Sequence, residues 1–94
     1  MTKKEFTAFT KVITDKAEMC NQYQEYVNRH NRDGLEIPPE VVRSFSRYCA
    51  RFDTCLELLE TMGYKVNTRY DSDNTIKDIH LIGQYVITLI IKPV

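Results

Sequence analysis

From Val41 to Met62 the apolar residues Val41, Phe45, Tyr48, Phe52, Cys55, Leu59 and Met62 fall at alternating intervals of four and three. With about 3.6 residues per turn, that spacing lines up one side of an α-helix and points it at a core. Val42, Cys49 and Leu56 widen the stripe. Pro38-Pro39-Glu40 suits a first helical turn, where a missing backbone N–H costs nothing. Gly63 ends the pattern, with Tyr64 placed to fold back on the last turn in a Schellman cap. A helix over residues 39–62 follows.

The same period runs through the first third of the chain. Phe6, Ile13, Cys20 and Val27 recur every seven residues, Phe9 and Tyr23 lie beside them, and Val12, Met19 and Tyr26 flank the stripe. Thr2 and Glu5 have capping-box spacing, Glu25 and Arg29 stand four apart in the favourable order, and Gly34 is available for a left-handed cap. This predicts a helix over residues 3–31. The linker Leu35-Glu36-Ile37 is short and extended, because Pro38 disfavours a helical Ile37. Two helices so joined pack antiparallel.

After Gly63 the period drops to two. Tyr64, Val66, Thr68 and Tyr70 alternate with Lys65, Asn67 and Arg69, the mark of a half-buried strand. Asp71-Ser72-Asp73-Asn74 is turn chemistry and Gly83-Gln84 a second turn. Strands are therefore expected over residues 64–70, 75–82 and 85–92. The predicted class is α+β: an N-terminal antiparallel helical hairpin packed on a C-terminal three-stranded antiparallel sheet, in the order α-α-β-β-β. The whole of 1–94 is expected to be a single domain, with a thin core.

Thirteen basic residues balance thirteen acidic ones, so the chain lacks the basic excess that counterion release rewards in nucleic-acid binders. No apolar run approaches the roughly 20 residues of a membrane span, and no apolar stretch follows Met1–Glu5. The expectation is a cytoplasmic protein with no membrane contact. Cys20, Cys49 and Cys55 lie on the apolar stripes and read as reduced core thiols.

Catalytic and metal chemistry find little footing. His30 falls at a helix end, while His80 stands two residues from Asp78 on a strand, a pairing without a nearby nucleophile. The chain has no C-x-x-C and no paired histidines. A calcium loop starting at Asp71 would need Gly and Glu where Ile76 and Ile82 stand. Gly34, Gly63 and Gly83 are isolated, so no phosphate loop forms. The expectation is a protein without enzymatic activity, metal or cofactor.

Two features point to binding. Arg43, Arg47 and Arg51 line one side of the second helix, suited to a phosphate backbone or an acidic partner, with Lys65 and Arg69 extending the surface if the sheet's outer face lies alongside. Internal pairing to Asp15, Glu18 or Glu25 on the first helix is the simpler expectation. The other feature is Tyr85-Val86-Ile87-Thr88-Leu89-Ile90-Ile91, apolar on both faces. Such a strand either sits mid-sheet through a changed strand order or meets another chain. In the second case Val86, Ile87, Leu89 and Ile90 form the interface, centred on Val86 and on whichever of Ile87 or Ile90 faces outward. The leading expectation is thus a small non-catalytic protein-binding module. It would be a homodimeric regulator or inhibitor, of the kind carried by bacteria and their mobile elements. A nucleic-acid-binding regulator using the arginine row is the alternative.

Overall fold

The computed structural model describes all 94 residues. Helix α1 spans Lys3–Arg32 and helix α2 spans Pro39–Thr61; strands β1 (Lys65–Tyr70), β2 (Ile76–Ile82) and β3 (Val86–Ile90) follow. The arrangement is the expected α+β one, two helices and then an antiparallel sheet, with strand order β1-β2-β3. The last strand is shorter than the 85–92 expected, and it lies at an edge. A mid-sheet position for it is therefore excluded.

Local chemistry sets the helix ends. The Thr2 hydroxyl accepts from the Glu5 N–H at 3.1 Å while Thr2 N–H donates to the Glu5 carboxylate at 2.9 Å, closing the capping box. Both helices end in Schellman motifs. Tyr64 N–H reaches Leu59 C=O at 3.0 Å with Gly63 at φ 93°, and Leu35 N–H reaches His30 C=O at 2.8 Å with Gly34 at φ 67°. These left-handed conformations are open to glycine at little steric cost.

The core lies between the hairpin and one sheet face. Phe6, Ile13, Ala17 and Cys20 come from α1, Phe52, Cys55 and Leu59 from α2, and Ile79, Leu81 and Leu89 from the strands. Burying a large aliphatic or aromatic side chain contributes about 1.5–3 kcal/mol each. The half-buried Val66 and Ile87 pack against this core from the outer strands. The molecule measures 47 × 23 × 18 Å. At about 1.5 Å per residue α1 is about 45 Å long, so it sets the long dimension. No helix is long and apolar enough to cross a membrane.

Polar side chains of α1 fix the sheet's far end. Asn21, 1% exposed, bonds both backbone groups of Ile76, and Asn28 donates to Asp73 C=O at 2.8 Å. Asn28 in turn accepts from Gln24 at 2.9 Å. At the other end Tyr64 stacks on Phe6 with centroids 5.4 Å apart and covers Gly83, its hydroxyl accepting from Tyr85 N–H at 3.2 Å.

Candidate interaction surface

Pairing of Ile82 with Val86, His80 with Thr88 and Asp78 with Ile90 places these residues, with Lys65, Asn67 and Arg69, on the sheet face turned away from the helices. Apolar residues on that face stay open to water: Val86 is 66% exposed, Ile90 70% and Ile82 45%. Alternation resolves the choice between Ile87 and Ile90. Ile90 faces outward, whereas Ile87 and Leu89 turn toward the helices, Leu89 into the core. The outer apolar group is therefore Ile82, Val86 and Ile90. Ile82 was not singled out from sequence, because only the β2–β3 register reveals its place beside Val86.

Polar residues share the face. Arg69 clamps Asp78 through two bonds, Nε to Oδ1 at 2.9 Å and Nη2 to Oδ2. This bonding, together with the guanidinium charge, holds the Asp78 carboxyl below its ordinary range. The His80 ring hydrogen-bonds the Thr88 hydroxyl across the strand pair. Asp78 and His80, two apart in sequence, thus each have a different bonding partner.

The basic residues divide between two faces. Lys65 and Arg69 lie on the outer sheet face, and Arg69 is engaged by Asp78. Arg47 and Arg51 instead border a groove on the hairpin with Lys16, Thr54 and Cys55. Asp15, Glu18 and Glu25 do not pair with the row, contrary to the simpler expectation. Glu25 is held by Arg29 at 3.9 Å and Arg32 at 3.7 Å, on its own helix. Arg43, Arg47 and Arg51 form no ion pair, and Arg51 lies over the Tyr48 ring at 5.7 Å.

A cavity of about 170 Å³ opens between the hairpin and the Tyr70–Ile76 end of the sheet, lined by Cys20, Phe45, Cys49, Phe52, Asp53 and Tyr70 among others. Burial pushes the Cys20 thiol up to about 12, with the neighbouring Cys49 adding to the effect, and burial raises Cys49 too. Thiols so held are protonated at neutral pH and poor nucleophiles. All three cysteines are free, and no cluster of His, Cys, Asp or Glu has the arrangement to hold a metal ion. No protein-family model matches this chain, and comparisons with curated proteins and with solved structures return no match either.

Proposed function

We propose that this chain is a small non-catalytic protein-binding module, homodimeric, that acts as a regulator or inhibitor through contact at β3 and the outer sheet face. The observation that carries this reading is the exposure of Val86 and Ile90 on an edge strand, with Ile82 beside Val86. Native sheets usually protect such an edge with charge, proline or cover. Val86–Ile90 contains neither a charged residue nor proline. An exposed, uncharged edge of this kind is a ready template for pairing with another chain.

Molar mass by light scattering across a concentration series tests it, on wild type and Ile90→Lys. A mass rising toward twice the monomer in wild type, and staying at the monomer in a folded Ile90→Lys, supports the reading. A wild-type mass that stays monomeric at every concentration argues against the homodimer.

The unpaired Arg43, Arg47 and Arg51 favour a second reading, a nucleic-acid-binding regulator that contacts phosphates along α2. Its surface is the hairpin groove beside Lys16, and Lys65 and Arg69 take no part in it. Arg47→Glu should then abolish a binding that already weakens steeply with salt. If wild type shifts no DNA or RNA at low salt, this second reading is excluded.

A further inference from the structure

We infer that the occupant of the β3 edge is a second copy of the same strand, paired antiparallel about a two-fold axis at Thr88 into a continuous six-stranded sheet. This deepens the protein-binding reading and rests on it.

The backbone decides which groups are free. Ile91 N–H donates to Lys77 C=O at 3.1 Å, which makes Lys77 and Ile91 a hydrogen-bonded pair. In an antiparallel ladder such pairs alternate with non-bonded ones. Ile79 with Leu89 and Leu81 with Ile87 are accordingly bonded pairs, and Ile87 and Leu89 spend their backbone groups on β2. The N–H and C=O of Val86, Thr88 and Ile90 point the other way, toward the open edge. None of these three residues makes a backbone bond outside the β2–β3 ladder.

One register pairs all three of these residues with their counterparts; moving it two residues along the strand keeps free groups opposite free groups but pairs only two of them. With Thr88 on the axis, Thr88 meets Thr88 of the other copy and Val86 meets Ile90, each as a hydrogen-bonded pair. Ile87 then meets Leu89 as a non-bonded pair. A shift by one residue would set bonded groups against free ones and turn inward-facing side chains against outward-facing ones. The chosen register also extends an apolar row across the junction on the outer face, from Ile82 to Val86 to the other copy's Ile90, since Ile82 already pairs with Val86. β3 carries no charge, so no like charges oppose one another across the seam.

The extent of contact sets its strength. A strand of 5 residues at about 3.4 Å each is about 17 Å long. A seam of that length falls short of the roughly 1,200 Å² of total buried surface typical of stable interfaces. The dimer is therefore weak and concentration dependent.

The test is intermolecular NOE measurement on a mixture of ¹³C-labelled and unlabelled wild-type protein at about 1 mM, chosen to populate a weak complex, with Thr88→Pro as the variant. Proline is tolerated at an edge position whose N–H faces solvent, so Thr88→Pro removes the central donor while leaving the β2–β3 ladder in place. The expected result is a cross-copy contact between the Ile87 and Leu89 α-protons, with exchange protection at Val86, Thr88 and Ile90 that grows with concentration. A folded Thr88→Pro is then monomeric. A wild-type dimer lacking that cross-copy contact overturns the strand pairing and leaves a face-mediated dimer standing. A wild-type monomer at this concentration, with fast exchange at all three amides, overturns the pairing and the homodimeric reading together. Should Thr88→Pro fail to fold, the wild-type contacts alone decide.

Discussion

The side-chain amide of Asn21 brackets the backbone of Ile76, accepting from its N–H at 2.7 Å and donating to its C=O at 2.9 Å. A single side chain on α1 thereby satisfies both backbone groups of Ile76, which pairs with Tyr70 on β1 but lies beyond the reach of the β2–β3 pairing. Asn21 is 1% exposed, so neither backbone group has water to turn to if it is removed. Leaving a buried donor or acceptor unmade costs about 1–3 kcal/mol. Asn21→Ala should destabilise the fold by about 2–4 kcal/mol in urea unfolding, given the two groups stranded. Asn21→Asp should fare little better, because a carboxylate has no donor to offer Ile76 C=O. A loss of only a few tenths of a kcal/mol in both variants would mean that β2 is held without this clamp.

Gly83 is required for what stands above it as well as for its turn. A Cβ there would lie 2.5 Å from Tyr64 Cδ1 and 2.7 Å from Cε1. The Tyr64 ring has little room to retreat, being stacked on Phe6 and bonded through its hydroxyl to Tyr85 N–H. Overpacking of this kind costs about 1–3 kcal/mol, and Gly83→Ala should lose that much in thermal or urea unfolding. Combining it with Tyr64→Leu should recover part of the loss, a coupling that a double-mutant cycle isolates. Strict additivity would show that the strain lies elsewhere in the turn.

Asn21 and Gly83 also show where the sequence stops being legible. Both helices, the strand sequence and the turns follow from periodicity and caps, because an apolar stripe can be read from its own residues. Asn21 sits beside Cys20 with nothing to mark it, since its partner is a backbone 55 residues away in sequence. Ile82 reads as the end of a strand, and only pairing with Val86 makes it part of an exposed apolar group. The arginine row was legible as a row. Its lack of carboxylate partners was not: the Glu25–Arg29 spacing is legible, but only the structure shows Glu25 held by Arg29 and Arg32 together and the row left without an acid. The apolar character of β3 was plain in the sequence, while its place at the edge required the strand order.

The Arg69–Asp78 clamp gives the fold an acid-sensitive element. Bonding to Arg69 depresses the Asp78 carboxyl in the folded state, against about 3.9 for an unfolded aspartate. A depressed folded value means the stabilisation is fully present above the unfolded value and is lost as pH falls through the folded one. The loss therefore lies below about pH 4. Arg69→Met keeps the aliphatic stem and removes the clamp. Its urea midpoint should fall below wild type at neutral pH, and the two should converge as pH drops toward about 2, below the range of free aspartate. Glu5 and Asp73 are also depressed, by bonds to Thr2 and Thr75, but act alike in both proteins. Parallel curves across the whole range would show that the Asp78 charge contributes nothing through Arg69.

The buried thiols supply a chemical measure of how tightly the hairpin is held. Cys20 is 4% exposed and its thiol is pushed up to about 12, first by burial and then by Cys49, which lines the same cavity. Since the thiolate is the reactive form, a rise from the usual value of about 8.5 lowers the reactive fraction by about three orders of magnitude. In native protein at neutral pH, alkylation of Cys20 by iodoacetamide, read by peptide mass spectrometry, should be at least about a hundredfold slower than in urea. Cys49 is half-buried and should be labelled first, with Cys20 following only as the helices separate. Asn21→Ala then offers a cross-check, because loosening α1 from β2 should speed Cys20 labelling far more than labelling of Cys55 on α2. Equal rates at Cys20 in native and denatured protein would mean that α1 opens freely from its partners and that the hairpin is not the rigid support β3 requires.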